Sequence, residues 1–294
     1  MTEDPPGISV CIVCRDEADR LGPCLESVAW ADDVVVLDLS STDGSADLAA
    51  ARGARVVRRA PVPVVELVRN EAASHARHDW IVVVDPDERL SPGLSTVLRE
   101  AAGRADVDAV VIPRTNYDFG YPPGSPLQRY EPQLRMYRRS RVTWPLAVHA
   151  LPAVAEDRIL RVPPRDDLVI VHDRNRTIEE MLDRVVRYAP LQAQAMIDRG
   201  DVFSARRMVG ALAESAYRHF VVGRAWRDGV PGVVRAGVLV AFRFYVWAAF
   251  WHRAGAAREP ADDRYLRTLG ALAEPPRLLL RAASAIRRAV RRKP

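Results

Sequence analysis

Cysteine is scarce in this chain. The 294 residues hold three, at Cys11, Cys14 and Cys24. The first two form a CxxC, but no second pair follows to complete a zinc site, which excludes a zinc ribbon or finger. Alternation along "ISVCIVC" puts Cys11 and Cys14 on opposite strand faces, so they read as buried thiols of a reducing compartment and not as a redox pair. Glycine-rich nucleotide loops are missing too. There is no GxGxxG and no GxxxxGK[ST], which excludes the dinucleotide fingerprint and the P-loop. No G-x-S-x-G elbow is present, so His172 beside Asp173 does not suggest a hydrolase. Neither sign of charge dominates: 43 basic residues face 38 acidic ones, for a formal +5. That suits a phosphate-bearing ligand or an anionic membrane surface without calling for nucleic acid. The opening "MTEDPPG" has no apolar core and does not read as a signal peptide. No internal repeat is visible.

What is present is ordinary globular composition, 48% apolar and 28% charged. The length allows one large domain, or one domain with a smaller appendage. "ISVCIVC", "DDVVVLDLS", "RVVRR", "WIVVVDPD" and "DAVVIPR" read as strands. Helices lie between them, one ended by Gly53 and one expected to be capped by Ser91 with Pro92 in its first turn. Continuously apolar strands with long connections predict an α/β fold with a largely parallel sheet covered by helices on both faces. From Thr115 to Pro164 prolines and aromatics interrupt the pattern, which predicts a mixed or antiparallel extension. Residues 177–200 read as a helix that Pro190 bends or divides. A second long helical segment starts at Phe203. The expected division is 1–175 as one domain (halves about 8–113 and 114–175) and 176–294 as a helical C-terminal region.

"GVPGVVRAGVLVAFRFYVWAAFWHR", Gly229 to Arg253, is apolar but holds Arg235 and Arg243. Its uninterrupted apolar runs are short for a span of about 20 residues, and arginine in lipid is costly. The segment reads as a helix packed on the protein or as one lying in a membrane interface, with a transmembrane span as the third and least favoured reading.

The stretch "DWIVVVDPDERL" runs a buried strand into Asp85, Asp87 and Glu88. Open parallel sheets bind ligands at the carboxyl ends of their strands. Two carboxylates there suit a hard divalent cation, Mg2+ or Mn2+, which can bridge them to a diphosphate. Asp38 in "LDLSSTDGS" ends another strand. Its turn residues Ser40, Ser41 and Asp43 suit helix capping, and its carboxylate suits hydrogen bonds from a base or ribose.

These residues carry a resemblance. "SVCIVCRDEADRLGPCLESV", "DDVVVLDLSSTDGSADLAAARGARV", "VRNEAASHARHDWIVVVDPDERLSPGL", "EPQLRMYRRSRVTW", "VHA" and "VHDRNRTIEEML" resemble the inverting family 2 glycosyltransferases with the GT-A fold. Among them the bacterial lipopolysaccharide core glucosyltransferase branch is the most similar. The resemblance implies a GT-A-like fold with a helical C-terminal extension. It also implies metal-dependent transfer of a sugar, with inversion, from a nucleotide-diphosphate sugar to an acceptor hydroxyl. A UDP-sugar is the leading donor. The acceptor is a glycolipid, a polysaccharide or a small molecule, in cell-envelope synthesis at the cytoplasmic side of a bacterial membrane. No nucleic acid is involved.

By the same resemblance, Glu17, Asp38, Asp43, Arg69, Asn70, Asp85, Arg135 and His172 belong to the nucleotide-sugar site. Asp85 and Asp87 match the DxD metal motif, with Mg2+ or Mn2+ as cofactor. Glu88 and Arg89 continue that motif. Two departures stand out: Ala150 replaces the glutamate of a "VHE" element, and Gln133 replaces an acidic residue before "LRMY". Glu131 and His149 are left as candidates for the general base. The departures also admit a catalytically weakened interaction or assembly protein. A nucleotidyltransferase shares the layout but would need a loop for a triphosphate, which is not evident.

Overall fold

The structure is a computed structural model and describes residues 6–63, 65–124, 129–145, 152–255 and 260–273. The chain divides into two compact units, Met1–Ile178 and Glu179–Pro294.

The first unit holds strands β1 (Ile8–Cys14), β2 (Asp33–Asp38), β3 (Arg55–Arg58), β4 (Trp80–Val84), β5 (Glu88–Leu90), β6 (Ala109–Asp118), β7 (Glu131–Arg138), β8 (Ile159–Arg161) and β9 (Ile170–Asn175). Its helices are α1 (Ala18–Ser27), α2 (Ser45–Ala51), α3 (Arg69–Ser74) and α4 (Leu94–Ala102). The described strands form one sheet in the order β3-β2-β1-β4-β7-β6-β9-β5, with β8 paired to β6. β7 and β5 run against the other strands, so the sheet is largely parallel but mixed. "DAVVIPR" does not sit beside β4, because β7 is inserted between them.

Alternation sorts the side chains into two cores. Ile8, Val10, Ile12 and Cys14 of β1 face α1, α2 and α4, while Cys11 faces α3. Strands buried on both sides must be apolar at every position, as "WIVVV" of β4 is. The chain winds from β1 outward to β3, then returns to the far side of β1 as β4. That reversal opens a crevice at the carboxyl ends of β1 and β4. Asp38 and Asp85 end the two strands that flank β1, so they stand about 10 Å apart across the sheet.

Ser91 is not the cap of α4. The helix starts at Leu94 after Gly93, with no side-chain cap. The Ser91 hydroxyl instead donates to Asp167 O at 2.7 Å and accepts from Val169 N–H at 2.9 Å. A Cβ on Gly93 would meet Asp167 O at 2.6 Å, so only glycine allows this close approach.

The second unit holds α5 (Ile178–Asp198), α6 (Ala205–Ala216), α7 (Gly229–Arg253) and α8 (Pro260–Ala273). Pro190 does not divide α5. The second helical segment is broken: a π-helical turn covers Tyr217–Val222, and a 3-10 turn covers Ala225–Asp228. The core is small, with Phe203, Trp247 and Phe250 meeting edge to face at 5.9–6.1 Å. α7 belongs to the one stretch of the described residues long and apolar enough to cross a membrane, by length and composition alone.

Candidate active site

The loops leaving β1 and β2 are laced together. Asp16 N–H donates to Ser41 Oγ at 2.9 Å, Thr42 N–H to Asp16 Oδ1 at 2.7 Å, and Glu17 N–H to Ser45 Oγ at 3.0 Å. Asp43 ties the two helix starts, accepting from Ala18 N–H at 2.8 Å and Ser45 N–H at 3.0 Å. Its bonds from Ser45 and Ala18 hold the Asp43 carboxyl below the usual range. The lacing keeps Asp16 (φ 52°) and Ser40 (φ 60°) in the left-handed region. Behind it, the buried Asp38 carboxylate accepts from Ser41 N–H at 3.3 Å to each oxygen.

At the end of β4 the chain turns tightly. Glu88 N–H donates to Asp85 O at 2.9 Å, and Asp85 N–H to Glu88 Oε2 at 3.1 Å. Glu88 then starts β5, opposite His172 of β9. A chain of alternating charges follows. Arg69 stands 3.6 Å from Asp85, and its guanidinium lies 5.2 Å from the Trp144 ring. Arg135 donates to Asp85 at 2.8 Å and to Glu88 at 2.6 Å. Arg114 donates to Glu88 at 3.1 Å and to Glu131 at 2.7 Å. Arg20 lies 3.6 Å from Asp87 and 3.7 Å from Glu17.

Charge and burial set the protonation preferences. Burial lifts the Asp85 carboxyl, but Arg135 and Arg69 outweigh it and hold the group well below the usual range. Glu88 is fully buried, and burial keeps its carboxyl raised despite Arg135. Burial also raises Glu17; Arg20 pulls it back, and the charge of Asp87 pushes it up again. Glu131 is lifted by burial but brought below its ordinary value by Arg114 and Asn116.

His172 and Asp87 offer one pair of ligand atoms for a divalent ion. Asn116 Nδ2 donates to Glu131 Oε2 at 2.9 Å, which turns Asn116 Oδ1 toward His172 Nδ1 at 2.6 Å. Nδ1 must therefore carry the proton. His172 Nε2 then faces Asp87 Oδ2 at 3.2 Å. An imidazole nitrogen and a carboxylate oxygen at that separation can share one cation. No group of three or more metal-ligating side chains converges among the described residues, so a diphosphate and water would complete the shell. Asp85 is held more tightly by cations, with Arg135 bonded to one oxygen at 2.8 Å and Arg69 3.6 Å from the other, whereas Asp87 Oδ2 has Arg20 at 3.6 Å. Asn70 acts indirectly: its amide bonds both Trp144 O (2.8 Å) and Trp144 N–H (3.0 Å), which positions the ring under Arg69. His149 lies outside the described residues.

Residues 9–154 match the family described as Glycosyl transferase family 2. The chain is a member of the family 2, GT-A glycosyltransferase superfamily. A TPR repeat-containing protein of Synechococcus elongatus is 33% identical over 45% of the chain, which spans only 34% of that relative. The lipopolysaccharide core biosynthesis glycosyltransferase LpsC of Rhizobium meliloti is 24% identical over 87% of the chain and 96% of its own length. A mannosyltransferase of Pyrobaculum calidifontis, solved with GDP-Man and Mn2+, superposes loosely. Its TM-score is 0.45 at 17% identity, over 92% of this chain and 81% of that one.

Three residues beside this site, Arg20, Arg114 and Asn116, fall outside the motifs read from the sequence. Arg20 follows Glu17 by three positions on α1, one turn of helix. Arg114 and Asn116 alternate on β6, a period-2 signal pointing both to one face. Glu88 was seen only as part of the DxD continuation, although it is the most deeply buried charge of the set. The cysteines sit behind the site, where the Cys24 thiol donates to Asp85 O at 3.5 Å. All are buried and free, and burial pushes Cys11 up to about 12 and Cys14 up to about 11.

Proposed function

We propose that this chain moves a sugar from a nucleotide-diphosphate sugar to an acceptor hydroxyl with inversion, in cell-envelope polysaccharide or glycolipid synthesis. The observation that carries this reading is the juxtaposition at the β1–β4 crevice: a carboxylate for the base at Asp38, and a charge-compensated acidic turn at Asp85–Glu88. The similarity to LpsC supports the envelope assignment.

Asp38 accepts hydrogen bonds from the base or ribose, held in place by Ser41 N–H. Glu17 borders the same space through Arg20 and Asp87. Asp87 and His172 would hold Mg2+ or Mn2+. When bound, the ion supplies neutralisation of the charge that grows on the departing diphosphate. Arg135 and Arg69 hold Asp85 ionised and fix the turn that aims Asp87. Glu131 acts as the general base. Arg114 and Asn116 occupy its Oε2, which leaves Oε1 for the acceptor proton. The carboxylate is ionised at neutral pH, so it can take that proton as the hydroxyl attacks opposite the leaving group.

Thermal-shift measurement with UDP-, GDP-, dTDP- and CMP-sugars, each with and without Mn2+, tests the reading. A UDP-sugar and metal together should raise Tm by several degrees, and more than either alone. Failure of every donor to move Tm in the presence of metal would defeat it.

A further inference from the structure

One helix of the second unit is apolar on its exposed face as well as on the face that packs. A helix at a water-facing surface exposes polar residues and packs apolar ones. On α7, Val230, Val233, Val234, Phe244, Tyr245 and Trp251 are exposed, reaching 76% at Val230. At 3.6 residues per turn they fall within about 60° either side of one line along the helix. Gly237 and Ala241 lie on the same line and are exposed too, so no charge interrupts it. From Val230 to Trp251 this apolar stripe runs about 30 Å. The charges are on the opposite half of the helix. Arg235 is buried there in an ion pair with Asp228, and Arg243 is exposed.

The surroundings are basic. Between Phe203 and Gly255 the sequence holds eight arginines and two acidic residues. Both acids are ion-paired, Glu214 with Arg218 and Asp228 with Arg235. Exposed Tyr217 and Trp226 stand beside Arg218 and Arg227 in the turns that pack on α7.

We propose that the α7 stripe lies in the plane of an anionic lipid bilayer, with its apolar residues in the interface and the arginines against lipid phosphates. Charge complementarity selects this occupant. A second copy would bring the same basic surface to a two-fold contact and be repelled. Residues 274–294 carry seven basic residues and one acidic, so they share the sign of the surface around the stripe. A helix crossing the bilayer would put Arg243 in the hydrocarbon, whereas one lying in the plane turns it to water. A membrane-borne acceptor is the substrate class that follows, and that clause alone rests on the transferase reading.

The test is co-sedimentation of the full chain with phosphatidylcholine vesicles and with phosphatidylcholine–phosphatidylglycerol vesicles. The wild type should pellet with the anionic mixture and far less with phosphatidylcholine alone. Combining Val233→Ser with Phe244→Ser, both at exposed positions, should weaken binding by about tenfold or more. The unfolding midpoint should not move. The proposal is overturned if the wild type stays in solution with both vesicles, or if the double variant pellets unchanged. It is equally overturned if the same changes instead convert a dimer to a monomer, or if only Arg291→Glu with Arg292→Glu releases the protein. Failure of the transferase reading looks different: vesicle binding persists while no sugar nucleotide moves Tm.

Discussion

Arg135 stands 2.8 Å from Asp85, with its guanidinium almost wholly buried. The same nitrogen reaches Glu88 at 2.6 Å, so one cation compensates two carboxylates. Removing one partner of a buried ion pair leaves charge stranded, at a cost of about 3–5 kcal/mol. Arg135→Met should lower stability to urea by that amount. Adding Glu88→Gln should return part of it, because one stranded carboxylate is gone. A loss below about 1 kcal/mol for Arg135→Met would show that the turn does not depend on this cation.

His172 and Asp87 make a second, separable prediction. His172→Ala removes Nε2 from the pair but leaves Asp87 with Arg20. Mn2+ should then no longer add to the Tm increase given by UDP. Asp87→Asn should behave alike, and the ligand-free protein should keep its Tm within a few degrees in both. If His172→Ala retains the full metal increment while Asp85→Asn loses it, the ion sits at Asp85, as the DxD spacing alone first suggests.

The parts of this site legible in the sequence are those written locally. β2 and β4 are runs of apolar residues with sharp ends, so Asp38 and Asp85 are placed at strand exits by the sequence alone. The charge chain is not local. Arg135 and Asp85 are fifty positions apart and meet only because β7 inserts beside β4. β5 has three residues, too few to show any period. Ser91 before a proline resembles a helix cap, but bonds to the 167–169 segment outcompete that role. Arg235 and Arg243 looked alike in sequence, yet only Arg235 has a buried acidic partner.

Far from the crevice, Asp33 predicts a pH dependence of stability. It bonds Arg55 through two nitrogens at 2.9 Å each, Ser9 Oγ at 2.9 Å and Arg77 N–H at 2.9 Å. Burial would raise its carboxyl, but Arg55, Arg77 and Ser9 outweigh that and bring it from 3.8 to about 2. A depressed folded value stabilises the fold above the unfolded value. That contribution, about 2 kcal/mol, is lost as pH falls from about 4 to about 2. Asp33→Asn should lower stability at pH 7 and flatten its decline across that window. Parallel wild-type and variant curves between pH 5 and pH 2 would refute the assignment.

Glu131 carries the chemical step in the proposed reaction, and its neighbours suggest how to isolate it. In Glu131→Gln the amide oxygen can still accept from Arg114, so the local packing survives while the proton acceptor is lost. Positioned proton transfer contributes about 100- to 10,000-fold. kcat for sugar transfer should therefore fall within that range, with the donor KM within about twofold and the UDP-plus-metal Tm increase intact. Arg114→Met should act in a different way. It frees Glu131 from the cation that lowers its carboxyl, so the acidic limb of the pH–rate profile should move to higher pH. A variant at Glu131 that keeps kcat within about threefold would transfer the base to another residue.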